Sequence, residues 1–298
     1  MSNIVKYGVR PETALEILSA VENSEKPVSR TYLSEYVNVS LMTVGKASEI
    51  LVSYGALTVS RGENLEAGRK PGVLSPSGAV FLIADLSYGK NNMTFFSPAG
   101  RRIESIDLNT HDSVEDLFSE LFSINEKYNV IGAGIICDST DNDGTASSVI
   151  YPDTNLADII SSALKTNIYL AISIIDLLAS RYIGKEDIIY LDSAAKLVPM
   201  SRYVNSSGVS RIGDISRILS SGSSDEEIGD MACIAAFICG AEKLVIRNGN
   251  NGLIDAAKKR SGGKVKIESD VELNIPGIAD LLLRNNWLRK ICSKIRYI

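Results

Sequence analysis

The stretch VSRTYLSEYVNVSLMTVGKASEILVSYGALTVS, residues 28–60, contains two short helical patterns followed by a strand pattern. Ser29 and Ser40 precede the two helical patterns. Serine is a favoured helix N-cap because its hydroxyl can accept a hydrogen bond from a backbone N–H of the first turn. Gly55 stands where a glycine commonly ends a helix. Two short helices joined by a turn of about three residues predict a helix-turn-helix.

The residues around this stretch extend the prediction to a winged helix-turn-helix domain over residues 1–78. Upstream, PETALEILSAVE spaces its apolar residues as one stripe of a helix. Downstream, ALTVSR and GRKPGVLS predict two strands on either side of a loop, which would form the wing. A three-helix domain with a solvated, charged hairpin is the alternative. Proline and glycine at 76 and 78 place the boundary there, because both residue types commonly separate elements.

This arrangement selects a set of candidate DNA contacts. In a helix-turn-helix, the first residues of the second helix reach base edges in the major groove. Small hydroxyls and backbone N–H groups at helix N-termini hold phosphates, and basic residues of a wing reach phosphates or the minor groove. The candidate DNA-binding residues are Ser29, Arg30, Ser40, Leu41, Thr43, Lys46, Arg61, Arg69 and Lys70.

The charge of the chain does not suggest a nonspecific nucleic-acid coat. The formal net charge is −5, and residues 1–78 contain eight basic and eight acidic residues. The first domain should therefore hold nonspecific DNA weakly, because phosphate neutralisation supplies that binding. We expect it to bind a double-stranded operator as a homodimer or a dimer of dimers, so that two half-sites are held together.

Residues 79–298 alternate strand and helix patterns, which predicts an α/β fold. A β-β-β-α-β-α order begins at AVFLIADL and is repeated from EDIIYLDS. His111 is the single histidine, and the four cysteines form no CxxC pair. These counts exclude multi-histidine metalloenzymes, and we expect no metal and no bound cofactor. The N-terminus lacks the apolar core of a signal peptide and no apolar run has the length of a membrane helix, so we expect a cytoplasmic protein.

A short segment at the junction of the two parts carries a family resemblance. Gly68, Arg69, Pro71 and Leu74 match a GR-x-P-x-x-L segment, and with the preceding helices they resemble the ROK family (repressors, open reading frames and sugar kinases). The resemblance implies that residues 79–298 form a duplicated ribonuclease-H-like domain of the actin and sugar-kinase superfamily. It also implies two lobes that meet near residue 185.

The phosphate-binding motifs of active kinases in that family are altered here. The segment DLSYGKNN of this chain resembles the first phosphate loop of the family. It keeps Asp85 and Lys90 but has Tyr88 where a small residue is expected. The second resembles LDSAAKL, in which Asp192 takes the place of a glycine. A carboxylate in that loop would repel phosphates, so the resemblance does not imply nucleotide binding.

The catalytic and sugar-binding motifs are altered as well. Ser173 stands where the resemblance expects the catalytic aspartate, and a serine has no carboxylate to accept a proton from a sugar hydroxyl. Asp176, one helical turn later, is the alternative base. Arg211 and Asp214 replace the sugar-holding glutamate and histidine. We therefore expect no enzymatic activity and no catalytic residues.

The resulting hypothesis is a transcriptional regulator of the repressor type with an inactive, kinase-like domain for dimerisation and effector binding. A sugar-like small molecule is the candidate effector. The alternatives are an ATP-dependent ROK-type sugar kinase and a non-catalytic protein-interaction module. The candidate effector-cleft residues are Asp85, Asn155, Ser173, Arg211 and Asp214.

The C-terminal stretch RNNWLRKICSKIRYI contains five basic residues and no acid. Trp287, Leu288 and Ile291 share one helical face. One interpretation is a final helix docked by this face, with its basic side in water. The other is a helix that contacts phosphate or braces the N-terminal domain.

Overall fold

The fold is that of a computed structural model. The residues that it describes are 9–61, 72–87, 90–109, 113–140, 145–148, 151, 154–182, 188–191, 197–200, 224–246, 251–269 and 274–293.

In its described residues the N-terminal unit has three helices and a three-stranded antiparallel sheet of order β1-β3-β2. Its core is filled from all three helices, and Ile17, Leu18, Leu33, Val44 and Leu51 are fully buried. The helices predicted from the sequence are confirmed. The elements are α1 (Pro11–Glu22), β1 (Val28–Ser29), α2 (Arg30–Tyr36), α3 (Leu41–Ser53), β2 (Leu57–Arg61) and β3 (Gly72–Pro76).

The first large sheet has five strands in the order β10-β7-β4-β5-β6. Its central strand β4 pairs in parallel with β7 and antiparallel with β5, and β7 pairs in parallel with β10. The elements are β4 (Val80–Asp85), β5 (Asn92–Phe96), β6 (Arg102–Asp107), α4 (Val114–Lys127), β7 (Val130–Cys137), the short pair β8 (Ser139–Thr140) and β9 (Ala146–Ser147), α5 (Leu156–Leu164), β10 (Ile168–Ser173) and α6 (Ile174–Tyr182).

The second large sheet repeats this pairing among its four described strands, in the order β12-β11-β13-β14. β11 pairs antiparallel with β12 and in parallel with β13, as β4 does with β5 and β7. β13 pairs in parallel with β14, as β7 does with β10. The elements are β11 (Ile188–Leu191), β12 (Leu197–Met200), α7 (Asp225–Cys239), β13 (Lys243–Ile246), α8 (Asn251–Ser261) and β14 (Lys266–Ser269).

The last helix, α9 (Ile275–Cys292), follows the second sheet but packs on the first. Trp287 is fully buried and meets the ring of Phe81 edge-on, with centroids 5.1 Å apart. The same helix contacts α1 and α3, so it braces the N-terminal unit. The expectation of a fully solvated basic side is wrong for Arg284, which is buried.

One apolar core joins the N-terminal unit to the rest of the molecule. It runs from α1 and α3 through α9 to the face of the first sheet that carries Phe81 and Ile83. The opposite face of that sheet packs on α4 and α5 in a separate cluster. Within the described ranges, no helix is both long and apolar enough to cross a bilayer.

Candidate functional site

Two serine caps determine where α2 and α3 begin. Ser29 Oγ accepts a hydrogen bond from the backbone N–H of Tyr32 at 3.1 Å. Ser40 Oγ accepts one from the backbone N–H of Thr43, also at 3.1 Å. Asn38 adopts a left-handed conformation, with φ of 55°, in the short turn between the helices. Both predicted caps are confirmed, and four residues separate the end of α2 at Tyr36 from the start of α3 at Leu41.

The first turn of α3 lies at the surface. Leu41 is 53% exposed and Met42 is 70% exposed, whereas Thr43 and Lys46 are only partly exposed. The hydroxyl of Thr43 is also hydrogen-bonded to Ser40 Oγ at 2.9 Å. The side chains at this end of the helix that reach furthest into solvent are therefore Leu41 and Met42. Met42 was not among the candidate DNA contacts named from the sequence, whereas Leu41 was.

The exposed side of α2 carries two aromatic rings. Tyr32 and Tyr36 are stacked, with centroids 5.8 Å apart, and both are exposed. In this helix only Leu33 is buried, so neither tyrosine contributes to the core. α2 has only seven residues, so the spacing of its apolar residues does not decide which side of the helix is buried. Arg30 begins α2 and is partly buried.

The predicted wing is described only in part. Arg61 ends β2, which pairs with β3 along its whole length. The side chain of Arg61, and the whole of Arg69 and Lys70, lie outside the described residues. Their predicted DNA contacts stay predictions.

Three strands of the first sheet end side by side at one edge. Asp85 ends β4, Cys137 ends β7 and Ser173 ends β10. Asp85 is in register with Ile136, and Ser173 is in register with Cys137. Because neighbouring strands lie about 4.8 Å apart, Asp85 and Ser173 are separated by roughly 10 Å across the sheet. Ligands of open α/β sheets bind at this edge.

Two of the candidate cleft residues act as helix caps at this edge. Ser173 Oγ accepts a hydrogen bond from the backbone N–H of Asp176 at 3.1 Å and donates one to its carboxylate at 2.7 Å. Asn155 accepts from the backbone N–H of Ala157 at 3.2 Å, and its amide donates to Asp158 at 2.9 Å. Both side chains are thus engaged by the helix that each one begins.

Cys137 adds no reactive group to this edge. It is fully buried, and its thiol is directed at the carbonyl oxygens of Ser139 and Ile172 at 3.2 and 3.4 Å. Burial, with a smaller contribution from Asp138, raises the pKa of this thiol to about 12. The thiol is therefore neutral near pH 7, and a neutral thiol is a poor nucleophile.

A cavity of about 500 Å³ opens beside Asp85. Its lining includes a hydrogen-bonded polar set on β5 and β6: Asn92 donates to Asp107 at 2.8 Å, and the hydroxyls of Thr94 and Ser105 lie 2.7 Å apart. A polar lining with charges of both signs suits a small polar ligand. The remaining lining residues are Lys90, Arg102, Asn274, Ile275 and Pro276.

The other predicted cleft residues are not brought into this cavity. Ser173 and Asn155 do not line it. Arg211 and Asp214 lie outside the described residues, as do Tyr88, Asp192 and His111. Among the described residues, no group of three or more acidic, cysteine or histidine side chains is arranged to hold a metal ion.

A polar junction joins three parts of the chain near the end of α1. The carboxylate of Glu22 accepts hydrogen bonds from the hydroxyl of Ser97 at 2.6 Å and from the backbone N–H of Ala99 at 3.0 Å. Arg284 on α9 donates to the carbonyl of Ala99 at 3.2 Å and to the carboxylate of Asp280 at 2.8 Å. The turn between β5 and β6 is therefore held by the N-terminal unit and by the last helix together.

Comparison with known proteins gives a structural likeness at low sequence identity. No protein-family model matches the sequence, and no curated protein sequence matches it. The crystal structure of a ROK family transcriptional regulator, a homolog of the E. coli MLC protein, aligns with a TM-score of 0.51 and 15% identity. The alignment covers 95% of this chain and 98% of that one.

Two ligand-bound structures of the same family also align. A ROK family protein from Streptococcus pneumoniae in complex with sucrose gives a TM-score of 0.42 and 12% identity, over 71% of this chain and 98% of that one. A ROK family glucokinase from Streptomyces griseus in complex with glucose and AMPPNP gives 0.44 and 11%, over 68% of this chain and 99% of that one. The strand pairing of the two sheets and the structural likeness to the regulator both indicate the same fold. The chain has an α/β, actin-like fold like that of ROK-family proteins.

Proposed function

We propose that this protein is a DNA-binding transcriptional regulator whose N-terminal unit is a winged helix-turn-helix. The observation that carries the proposal is the start of α3, which is capped by Ser40, follows a short turn and lies exposed at the surface. The order α1-β1-α2-α3-β2-β3 supports this proposal, in which β2 and β3 would form the wing. In such a domain, α3 enters the major groove.

The structural likeness supports the same function. The aligned regulator matches 95% of this chain. Because residues 1–78 are about a quarter of the sequence, this alignment must extend into the N-terminal unit.

We propose further that the actin-like part performs no phosphoryl transfer. A sugar kinase needs a base on the attacking hydroxyl and a cradle for the nucleotide phosphates. At the expected position of the base, the hydroxyl of Ser173 is used to cap α6. In this proposal residues 79–298 serve for dimerisation and for the binding of a small polar effector, such as a sugar. The cavity beside Asp85 is the proposed effector site.

A gel-shift survey of genomic fragments with the intact chain tests DNA binding. If no fragment is shifted, the result favours a protein-interaction module.

On a selected fragment, Thr43→Ala with Lys46→Ala should lose sequence discrimination at fixed salt, since each good base contact contributes about 1–3 kcal/mol. Thr43→Ala keeps the cap, because Ser40 bonds the backbone N–H of residue 43. The control Lys259→Ala removes an exposed charge from α8 and should bind normally. Full discrimination in the double variant would show that Thr43 and Lys46 do not contact the bases that are read.

A further inference from the structure

Four large side chains lie exposed around the turn between α2 and α3. They are Tyr32 and Tyr36 on α2, and Leu41 and Met42 at the start of α3. We call these four residues the turn patch. The core beneath is already filled by Leu33, Val44 and Leu51, so the turn patch is not needed to fold the unit. A cluster of exposed apolar residues generally marks an interaction surface.

The backbone beside this patch offers hydrogen-bond donors. Leu41 and Met42 occupy the first two positions of α3, where backbone N–H groups have no intrahelical acceptor. The Ser40 cap satisfies the N–H of Thr43, not theirs. The positive end of the helix dipole lies at the same place. The surface thus combines apolar side chains with N–H donors in a positive field.

A DNA major groove matches both properties. Its wall carries phosphate oxygens that accept hydrogen bonds from helix N-termini, and thymine presents a C5-methyl group on its floor. An apolar protein groove would match the side chains but would bury the two N–H groups without acceptors, which is unfavourable.

The tyrosines of the turn patch fit the edge of the same groove. In a helix-turn-helix, the first helix crosses the DNA backbone while the second enters the groove. Tyr32 and Tyr36 lie on that first helix, stacked and exposed. Tyrosine hydroxyls donate to phosphate oxygens, so the two rings would flank the groove that Leu41 and Met42 enter.

We propose that Leu41 and Met42 read thymine methyl groups, and that the preferred half-site is rich in A·T pairs at the positions facing the start of α3. This inference rests on the proposed DNA-binding function. It assigns specificity to two apolar side chains, and it gives Tyr32 and Tyr36 the role of phosphate contacts.

Replacement of thymine by uracil removes only the methyl group and so tests the contact directly. A fragment selected by the intact chain is synthesised with uracil at one thymine at a time. We expect affinity to fall about fourfold at each contacted thymine, the factor for one buried methyl-sized group of about 0.8 kcal/mol. The thymine-to-uracil ratio should stay constant between low and high salt, whereas total affinity should fall steeply with salt.

A combined substitution of protein and DNA assigns the contact to the two residues. Leu41→Ala and Met42→Ala should each remove the uracil effect at their own thymines. Both variants should fold, because these side chains lie mostly in water. Leu281→Ala is the matched control, since Leu281 on α9 is exposed to a similar extent, and it should keep the full effect.

The outcomes separate this inference from the proposed function. DNA binding with equal affinity for thymine and uracil would overturn the methyl contact and leave the regulator function standing. No binding to any fragment would overturn both. A change in the molecular mass of the protein in solution on Leu41→Ala or Met42→Ala, without loss of the uracil effect, would assign the turn patch to a second copy of the chain and overturn the inference.

Discussion

Asp280 is an acid that folding removes almost completely from water. Its side chain is 2% exposed, and Arg284 bonds one carboxylate oxygen. Burial outweighs the neighbouring guanidinium and raises the pKa of Asp280 from 3.8 to about 6. The folded chain therefore holds this proton at pH values where the unfolded chain has released it.

This difference predicts that stability falls as pH rises from about 4 to about 6, because the folded state binds more protons in that window. Two pKa units correspond to about 3 kcal/mol. Asp280→Asn should flatten this part of the profile, as measured by urea unfolding at several pH values. Asp255→Asn, on the exposed side of α8, is the control and should keep the wild-type slope. An unchanged slope in Asp280→Asn would show that another group dominates the window.

Local sequence predicted some residue roles and missed others for a physical reason. The caps Ser29 and Ser40 were predictable because a cap bonds a backbone N–H only three residues away. The burial of Arg284 was not predictable, because its partner at Ala99 is 185 residues distant. The exposure of Met42 was not predictable either, because an apolar residue carries no local sign of whether it faces solvent.

At the scale of elements, α6 begins where the family resemblance places the catalytic base of a kinase. Aspartate is also a good N-cap, so Ser173→Asp should fold while restoring a carboxylate at this position. We expect no transfer of labelled phosphate from ATP to any hexose of a panel, since the altered phosphate loops remain. The companion variant Ser173→Ala should lose the cap and about 1 kcal/mol of stability. Labelled hexose formed by the aspartate variant would favour the alternative that the protein is a sugar kinase.

The elements themselves followed from periodicity wherever they were long. The stripe predicted for α1 is buried, and α3 also has one buried stripe. The seven-residue α2 has a single buried position, Leu33, which is too few to define a face from the sequence. The strand pairing could be expected only through the family resemblance, because β4 and β7 are separated by two strands and a helix along the chain.

For the whole molecule, the sequence suggests two separate parts, but α9 and the Glu22 junction tie them together. The apolar cluster is continuous across them, so the orientation of α3 depends on contacts with the actin-like part. A ligand that moved α9 or the turn between β5 and β6 would move the N-terminal unit as well. This connection gives the cavity beside Asp85 a physical route to the proposed DNA-binding surface.

The junction can be tested through Glu22, which supplies the acceptors for Ser97 and Ala99. Glu22→Ala leaves a partly buried N–H without its partner, which costs about 1–3 kcal/mol. The shared apolar core should keep the chain folded, so we expect faster amide hydrogen exchange at residues 97–101 and in α1 while the second sheet stays unchanged. Glu25→Ala, an exposed neighbour, should exchange like the wild type. If Glu22→Ala also exchanged like the wild type, the apolar contacts of α9 alone would hold the two parts together, and Glu22 would not set the orientation of the N-terminal unit.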